Sequence, residues 1–349
     1  MNGRMTAAVL YGKEDVKIEQ VPIPRLGEGE VLVKVQVALT CGTDLKVYQR
    51  GYHARMIVPP ALFGHELAGI IEDVGAGVRG FRRGQRVVAL NSAPCGMCFY
   101  CSKHQENLCE DLLFNNGAYA EYIKIPRRIV ESNMLAIPNH VSYEEAAMVE
   151  PVACVLRGLH ESKVEIGDTV AVIGGGPIGL MFVQIAKLIG CNVISVVKRD
   201  AQALAAARMG ADEVVKIAQV QDPVDAVHAL TEDRRGADLV VEAVGRPEAW
   251  EQAIEMVRRG GIVNLFGGCA AGTKVQLDTN RLHYSEIMLK ATFHHTPESV
   301  RRAFSLICEK KIRSGDYVTG EAPLSSLQQV LKHMMNRNGD IKTAIIPGQ

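Results

Sequence analysis

The arrangement of hydrophobic and polar positions divides the chain into two regions. Over the first 150 residues, short apolar runs rich in β-branched residues, such as Val31–Val37 and Arg86–Ala89, are separated by glycine and proline. This pattern is typical of a β-rich region with frequent turns. From Gly167 onward, continuous apolar runs alternate instead with segments of helical periodicity.

The second region predicts a parallel sheet with helices on both faces, because its strands are apolar along their whole length. The predicted strands are Thr169–Ile173, Asn192–Val197, Glu213–Ile217, Asp238–Ala243, Gly261–Phe266 and Ile287–Thr292. The predicted helices are Pro177–Ile189, Ala201–Met209, Asp222–Thr231, Pro247–Arg258 and, past the sheet, Pro297–Lys310. We expect the remaining tail to pack back onto the first region. The expected fold class is α/β, with a β-rich part joined to a doubly wound parallel sheet.

Length, charge and cysteine content narrow the class of protein. The chain has 349 residues, which is long for one core and favours two domains. Its 39 basic and 39 acidic side chains balance, so nothing indicates a nucleic-acid partner. It has no run of 18 apolar residues and no apolar N-terminal core, which predicts neither a membrane span nor a signal peptide. With nine cysteines, these features lead us to expect a reducing, cytoplasmic location.

Four closely spaced cysteines predict a structural zinc site. Cys95, Cys98, Cys101 and Cys109 have the spacing Cys-x2-Cys-x2-Cys-x7-Cys, and thiolates spaced like this can surround one tetrahedral zinc ion. The alternatives are disulfides, which a cytoplasmic chain disfavours, or an iron–sulfur cluster. The bacterial iron–sulfur pattern has proline after its last cysteine, whereas Glu110 follows here. Four thiolates leave no open position, so this zinc would stabilise the fold without doing chemistry.

A glycine-rich turn between a strand and a helix predicts a dinucleotide site. Gly174, Gly176 and Gly179 form G-x-G-x-x-G, with Pro177 and Ile178 opening the helix. The glycines allow a tight turn, close approach of a pyrophosphate and close helix–strand packing. The helix N-terminus then offers N–H donors to the phosphates. Glycines at such a turn can also be purely structural, but the alternating pattern around them favours the cofactor.

The residues after the second parallel strand favour NADP over NAD. An NAD site usually has an acidic residue there, about 20 residues past the glycines, to bind the ribose 2′-hydroxyl. Val197 occupies this position and is followed by Lys198 and Arg199, whose charges suit a 2′-phosphate. The alternative is that both cations are solvated and Asp200 binds the ribose from a shifted position.

A second set of metal-ligand types lies outside the cysteine loop. A catalytic zinc ion needs about three protein ligands and one open position. Cys41 in TCGTD, with His65 and Glu66 in FGHELAG, could supply them. Glu150 is a lone carboxylate in an apolar run, which is costly to bury unless it is paired or bound to metal. Each residue alone has an ordinary alternative, such as a buried thiol, a surface histidine or a solvated carboxylate.

These motifs together resemble the zinc-dependent medium-chain alcohol dehydrogenases, closest to the sorbitol (polyol) and threonine dehydrogenase branch. TCGTD, GHELAG, the four-cysteine loop, GAYAEY, VEP and VIGGGPIG occur in the family's order, across nearly the whole chain. The resemblance implies a GroES-like catalytic domain formed by residues 1–152 and 292–349. It also implies a Rossmann NAD(P)-binding domain formed by residues 153–291.

The resemblance also implies roles for individual residues. Cys41 and His65 would bind the catalytic zinc, and Glu66 would be a ligand or an exchanging neighbour. Glu150 matches a carboxylate that this branch carries near the zinc, and Thr43 matches the hydroxyl that takes the substrate proton. The four-cysteine loop would hold the second zinc of the chain.

Two departures from the family pattern concern the substrate. Lys46 stands where relatives often have a histidine that completes the proton relay. His294 and His295 follow Phe293 where sorbitol dehydrogenases carry an Arg-Tyr pair, which weakens sorbitol as the substrate. Lys46, His294 and Tyr119, which ends a loop expected to shape the pocket, are candidate substrate contacts.

The resulting hypothesis is a zinc-dependent dehydrogenase that moves a hydride between a secondary alcohol and NAD(P). The substrate would be a small polyol, cyclitol, sugar or amino-acid type molecule, with no nucleic-acid or membrane partner. The alternatives are a dehydrogenase for small apolar alcohols or aldehydes, and a catalytically silent homologue. The resemblance further implies a homo-oligomer, with a tetramer favoured over a dimer.

Overall fold

The computed structural model describes residues 3–53, 55–336 and 340–348 and divides the chain into two compact units. Unit 1 comprises residues 1–153 and 295–349, and unit 2 comprises residues 154–294. The sequence-based prediction placed these boundaries after residues 152 and 291. Among the described residues, no helix combines the length and apolar character needed to cross a bilayer.

Unit 1 begins with a β-rich region, as its short β-branched runs predict. Its first strands are β1 (Arg4–Gly12), β2 (Asp15–Pro22), β3 (Val31–Leu39), β4 (Ala61–Leu62), β5 (Glu66–Val74), β6 (Arg86–Ala89), β7 (Ser92–Ala93), β8 (Leu113–Phe114), β9 (Tyr122–Ile125) and β10 (Met134–Ala136). Its first helices are α1 (Gly42–Arg50), α2 (Phe99–Ser102), α3 (Arg127–Ser132) and α4 (Tyr143–Ala147), and α5 (Val149–Glu161) leads on into unit 2.

Unit 2 contains a six-stranded parallel sheet flanked by helices. The strands are β11 (Thr169–Ile173), β12 (Asn192–Val197), β13 (Glu213–Lys216), β14 (Ala237–Glu242), β15 (Val257–Leu265) and β16 (Met288–Ala291). The helices are α6 (Pro177–Ile189), α7 (Asp200–Arg208), α8 (Pro223–Ala229), α9 (Pro247–Met256) and α10 (Thr279–Tyr284). The strand order is β13-β12-β11-β14-β15-β16, so the order reverses direction beside β11, where dinucleotides bind in doubly wound sheets. The α/β fold class is confirmed.

The chain then returns to unit 1 through α11 (Pro297–Cys308), β17 (Val318–Pro323), α12 (Leu327–Met335) and β18 (Lys342–Ile346). The main sheet of this unit has the order β10-β6-β5-β3-β18-β17, with β9 also paired to β3. Two smaller sheets have the orders β2-β1-β4 and β7-β8. The last strand therefore completes the sheet that the first region began, as we expected for the tail.

Most predicted boundaries lie within two residues of those in the structure, and the largest difference is at the junction of α9 and β15. The helix expected to reach Arg258 ends at Met256, and β15 begins at Val257 instead of Gly261. The pairing between β14 and β15 shifts register over the same stretch. The glycines at 260 and 261 make such an irregularity easy, and apolar periodicity alone does not reveal it.

Candidate active site and cofactor turn

The four predicted zinc-binding cysteines lie together in the segment that joins β7 to β8. The Sγ atoms of Cys98 and Cys101 are 3.5 Å apart, those of Cys98 and Cys109 are 3.8 Å apart, and those of Cys95 and Cys101 are 4.0 Å apart. Four sulfurs at about 2.3 Å from a tetrahedrally coordinated zinc would be about 3.8 Å apart. The described loop therefore fits one zinc ion.

The local environment of the thiols also suits a cation. Backbone N–H groups of Cys101 and Glu110 lower the pKa of Cys98 to about 6. Burial raises the pKa of Cys101 to about 12. Four thiols this close cannot all ionise without a cation between them, since like charges oppose each other. The chemistry of the donor set thus matches a closed, structural metal site.

Cys41, His65 and Glu66 form a second group, in which the potential ligand atoms lie within 4.8 Å of one another. Cys41 is the N-cap of α1, and its Sγ accepts a hydrogen bond of 3.4 Å from the backbone N–H of Thr43. His65 and Glu66 are buried and Cys41 is half-buried, so one soft and two harder ligand types meet at a largely enclosed point.

Asp44, which the sequence analysis did not single out, orients this group. Its Oδ1 lies 3.0 Å from Nδ1 of His65, and its Oδ2 accepts a 3.0 Å hydrogen bond from the backbone N–H of Cys41. Burial lowers the pKa of His65, but the Asp44 carboxylate outweighs this and holds the pKa well above its usual value. A metal ion would replace the proton on Nε2 while Nδ1 keeps donating to Asp44, as in many carboxylate–histidine–zinc sites.

Lys342 is the second residue that the sequence analysis missed. Its Nζ lies 2.8 Å from Oε2 of Glu66 and 3.0 Å from Oε1, and both side chains are buried. Burial raises the pKa of Glu66 to about 7; Glu150 adds to this rise, whereas Lys342 and His65 oppose it. A lone lysine in the apolar run KTAII was a visible signal, of the same kind as the lone Glu150 in its own run.

The remaining predicted residues of this site lie on α1 and α5. Thr43 and Lys46 are half-buried on α1, with Thr43 in its first turn. Glu150 is buried in the first turn of α5, close enough to Glu66 to raise its pKa. The structure groups Glu66, rather than Glu150, with the ligand atoms of Cys41 and His65.

Tyr119 and His294, two candidate substrate contacts, are both buried in the structure. Tyr119 has no exposed surface, and its hydroxyl donates a 2.6 Å hydrogen bond to Asp44. The structure does not support a direct substrate contact for Tyr119, because substrate cannot reach a side chain enclosed in this way. His294 is buried in unit 2 and stacks on Phe293, with 5.4 Å between ring centroids. His295 is bonded within unit 1 instead, to Oδ1 of Asn91 at 3.1 Å.

The glycine turn has the geometry that a pyrophosphate requires. A Cβ atom at Gly179 would lie 1.8 Å from the carbonyl oxygen of Gly174, so α6 packs against the turn only with glycine there. At Gly176, the N-cap of α6, a Cβ atom would meet nothing within 4 Å. Open space next to the first N–H groups of a 13-residue helix fits a bound phosphate.

The end of β12 presents two cationic side chains. Lys198 and Arg199 are exposed, while their backbone N–H groups donate to Oε1 of Gln202 at 3.3 and 3.2 Å. Asp200, the alternative partner for a ribose, is paired with Nζ of Lys216 at 3.0 Å. Val197 is buried and apolar. This edge of the sheet therefore offers positive charge rather than a free carboxylate.

Comparisons with known proteins agree with this geometry. The alcohol dehydrogenase GroES-like domain matches residues 27–139, and the zinc-binding dehydrogenase domain matches residues 177–309. Sorbitol dehydrogenase of Bacillus subtilis (strain 168) is 33% identical, over 99% of this chain and 98% of that protein. L-threonine 3-dehydrogenase of the same strain is also 33% identical, over 99% of both. A Sinorhizobium meliloti 1021 structure bound to NADP superimposes with a TM-score of 0.89 at 29% identity, over 99% of this chain and 100% of that one.

The cysteine loop can be tested by removing one sulfur. We expect Cys101→Ser to lose one equivalent of zinc and to lower the thermal unfolding midpoint, because a structural zinc contributes folding free energy directly. Elemental analysis and a thermal scan measure both. Cys308→Ser, a change of the same kind outside the metal groups, should keep both values. An unchanged zinc content in Cys101→Ser would refute the assignment of the structural zinc to these four cysteines.

The buried ion pair can be tested by breaking it from one side. Lys342→Met leaves the Glu66 carboxylate buried without its cation, so we expect a loss of about 3 to 5 kcal/mol in unfolding free energy. The double change Glu66→Gln with Lys342→Met removes both charges and should recover much of this loss. Urea unfolding measures the difference. Lys332→Met, at an exposed lysine of α12, is the matched control; an equal loss there would contradict the pairing argument.

Proposed function

The chain belongs to the family of zinc-binding alcohol dehydrogenases with a GroES-like domain, and we propose that it oxidises a secondary hydroxyl group with NADP as the preferred acceptor. Membership makes it an alcohol oxidoreductase with zinc and a nicotinamide cofactor. The proposed substrate class is a polyol, cyclitol, sugar or amino-acid type alcohol. The observation that carries this proposal is the group of half-buried Cys41 with buried His65 and Glu66, held by Asp44 and Lys342.

The names of the relatives support the substrate class. Sorbitol and threonine differ in charge and size, but both carry a hydroxyl group on a secondary carbon. A chain equally similar to both enzymes, at 33% identity, supports a secondary alcohol more strongly than either particular substrate. His294 and His295, in place of the Arg-Tyr pair, argue against sorbitol itself. Lys46 and His294 stay proposed substrate contacts.

The proposed mechanism assigns one task to each part of the group. Cys41, His65 and one carboxylate, Glu66 or Glu150, would hold the catalytic zinc and leave a position open for the alcohol. The bound zinc supplies Lewis acidity that lowers the pKa of the alcohol, and the nicotinamide supplies the hydride acceptor. Thr43, two residues after Cys41, would take the hydroxyl proton of the substrate while passing its own hydroxyl proton onward.

Charge balance supports exchange between the two carboxylates. Lys342 lies within 3.0 Å of both oxygens of Glu66, so this carboxylate already has a cation when it is not bound to metal. Glu150 is buried nearby, and the repulsion between the two carboxylates raises the pKa of Glu66. A divalent ion would relieve this repulsion. We propose that the two carboxylates exchange, so that Lys342 holds Glu66 whenever Glu150 contacts the zinc or its water.

The proposal also includes a second, structural zinc and a cytoplasmic homotetramer. The distances in the cysteine quartet support the zinc, as described above. The resemblance supports the tetramer, which sedimentation of the purified protein would test. Thiols that must stay reduced to bind metal support the cytoplasmic location.

Hydride transfer across a substrate panel tests the proposed activity. Polyols, cyclitols, sugars, threonine and simple secondary alcohols are each assayed with NAD and NADP. We expect turnover with at least one member of the proposed class. Turnover of small apolar alcohols alone would favour a dehydrogenase for such substrates. No turnover at all, in protein that holds both zinc ions, would indicate an inactive homologue.

Removal of the thiolate tests the proposed metal site with whichever substrate responds. Cys41→Ser should lower kcat/KM by about a thousandfold or more, since the metal supplies several kcal/mol of stabilisation. Cofactor binding, followed by fluorescence titration, should stay unchanged. Cys308→Ser is again the matched control. Full activity in Cys41→Ser would refute the assignment of Cys41.

Neutralising the two cations after β12 tests the NADP preference. Each contact with the 2′-phosphate should contribute about 1.5 to 3 kcal/mol, or roughly tenfold to a hundredfold in affinity. The double variant Lys198→Ala with Arg199→Ala should therefore lose about a hundredfold or more in kcat/KM for NADP. Its kcat/KM for NAD should change little. Arg208→Ala, also exposed on α7, controls for the loss of positive charge; equal losses with both cofactors would refute the phosphate contact.

A further inference from the structure

Tyr119 is locked against the backbone that carries the metal-ligand candidate His65. The ring has no exposed surface and packs edge-on against Phe63, with 5.5 Å between centroids. Gly64 has a φ of 90°, and a Cβ atom built there would lie 2.5 Å from a ring carbon of Tyr119. The aromatic ring therefore occupies the space beside the residue that precedes His65.

The chain holds the backbone of Tyr119 as firmly as its ring. Its N–H donates to the carbonyl of Phe63 at 3.0 Å, and its carbonyl accepts from the N–H of Ala8 at 2.8 Å. Because both main-chain groups are hydrogen-bonded, the backbone of Tyr119 cannot move without breaking these bonds, and the packing against Phe63 and Gly64 holds the ring. The direction of the hydroxyl is consequently fixed by the fold.

The hydroxyl of Tyr119 points at the carboxylate that orients His65. It donates to Oδ2 of Asp44 at 2.6 Å, and it lies 3.2 Å from the carbonyl oxygen of Leu39. The other oxygen of Asp44 faces Nδ1 of His65 at 3.0 Å. Burial, followed by the Asp44 charge, raises the pKa of Tyr119 well above its usual value, so the hydroxyl stays protonated and donates.

We propose that Tyr119 is a positioning residue for the metal site, which sets His65 through the Asp44 carboxylate. This inference rests on the proposed catalytic zinc at Cys41 and His65. A carboxylate bound on both oxygens has a fixed plane, and a fixed plane holds the imidazole in one orientation. Without the hydroxyl, Oδ2 loses the shorter of its two hydrogen bonds and keeps the one from the backbone N–H of Cys41, so the carboxylate plane is held less firmly. Loss of such outer partners typically weakens metal binding by about 10- to 100-fold.

Tyr119→Phe is the direct test, because it removes the hydroxyl and keeps the ring that fills the space beside Gly64. Zinc release is followed by titrating the purified full chain with a chelator. We expect one zinc to bind at least about tenfold more weakly, while the zinc of the cysteine quartet is retained. That second zinc also reports, within the same sample, that the protein is folded.

Cobalt substitution gives a visible absorption spectrum, which a general loss of stability would not change. Cobalt(II) absorbs visible light according to its ligands and their geometry, so a reoriented His65 should change the spectrum of the catalytic site. We expect the spectrum of Tyr119→Phe to differ from wild type at saturating cobalt. The bands from the four-thiolate site should stay unchanged.

Tyr122→Phe is the matched control. Tyr122 is half-buried, three residues further along the same segment, and packs against the small cluster of Met5, Ala7 and Ala120. We expect this variant to bind zinc and cobalt as wild type does. Equal weakening in both variants, or wild-type zinc affinity and cobalt spectrum in Tyr119→Phe, would overturn the inference.

Metal binding separates this inference from the proposed function, because it needs no known substrate. If the wild-type chain binds only the quartet metal, the proposed catalytic site fails, and the role of Tyr119 fails with it. If wild type binds both metals and Tyr119→Phe matches it, only the role of Tyr119 fails. Weaker binding of one metal in Tyr119→Phe alone supports both.

Discussion

The buried ion pair between Glu66 and Lys342 is the interaction on which the arrangement of unit 1 depends. Leu39 of β3 pairs with Glu66 of β5 on one side and with Ala344 of β18 on the other. The two charges therefore come from strands on opposite sides of β3, 276 residues apart in the chain. Neither charge is tolerable alone in a buried position, so the last strand and the metal group require each other.

The parts of the site that spacing alone predicted are those formed within one short segment, whereas Cys41, His65 and Glu66 were joined by the family resemblance. The cysteine quartet and the glycine turn depend on spacing alone, and their predicted residues lie together in the structure. Lys342 escaped prediction because its partner is set by the pairing of β18 with β3, which no local pattern specifies. The parallel sheet was predictable because its central strands, such as β11 and β12, are largely apolar and strands alternate with helices along the chain.

Asp44 and Tyr119 show a finer limit of prediction. Asp44 lies three residues after Cys41, where its carboxylate completes a capping box with the N-cap. Helix capping alone would therefore explain an aspartate at this position, and the sequence gives no reason to look for a second role. Its contact with His65 crosses 21 residues and depends on the turn before β5. Tyr119 was assigned to the substrate because it ends a loop, but its hydrogen bonds to Phe63 and Ala8 turn the ring inward. Side-chain direction follows from strand register, which the sequence leaves open.

The two proposed metal sites differ in how their ligands are held, and this difference would make one closed and the other reactive. The quartet would take every ligand from one loop of 15 residues, so its geometry is set locally and four thiolates would fill the coordination sphere. Cys41, His65 and Glu66 come from a helix cap and a strand start, and further residues hold each of them: the Thr43 N–H, Asp44 and Lys342. Because these outer residues hold the three ligands without binding the metal themselves, a fourth coordination position would stay open. An open position is what an alcohol needs in order to bind, so the outer residues are as much a part of the chemistry as the ligands themselves.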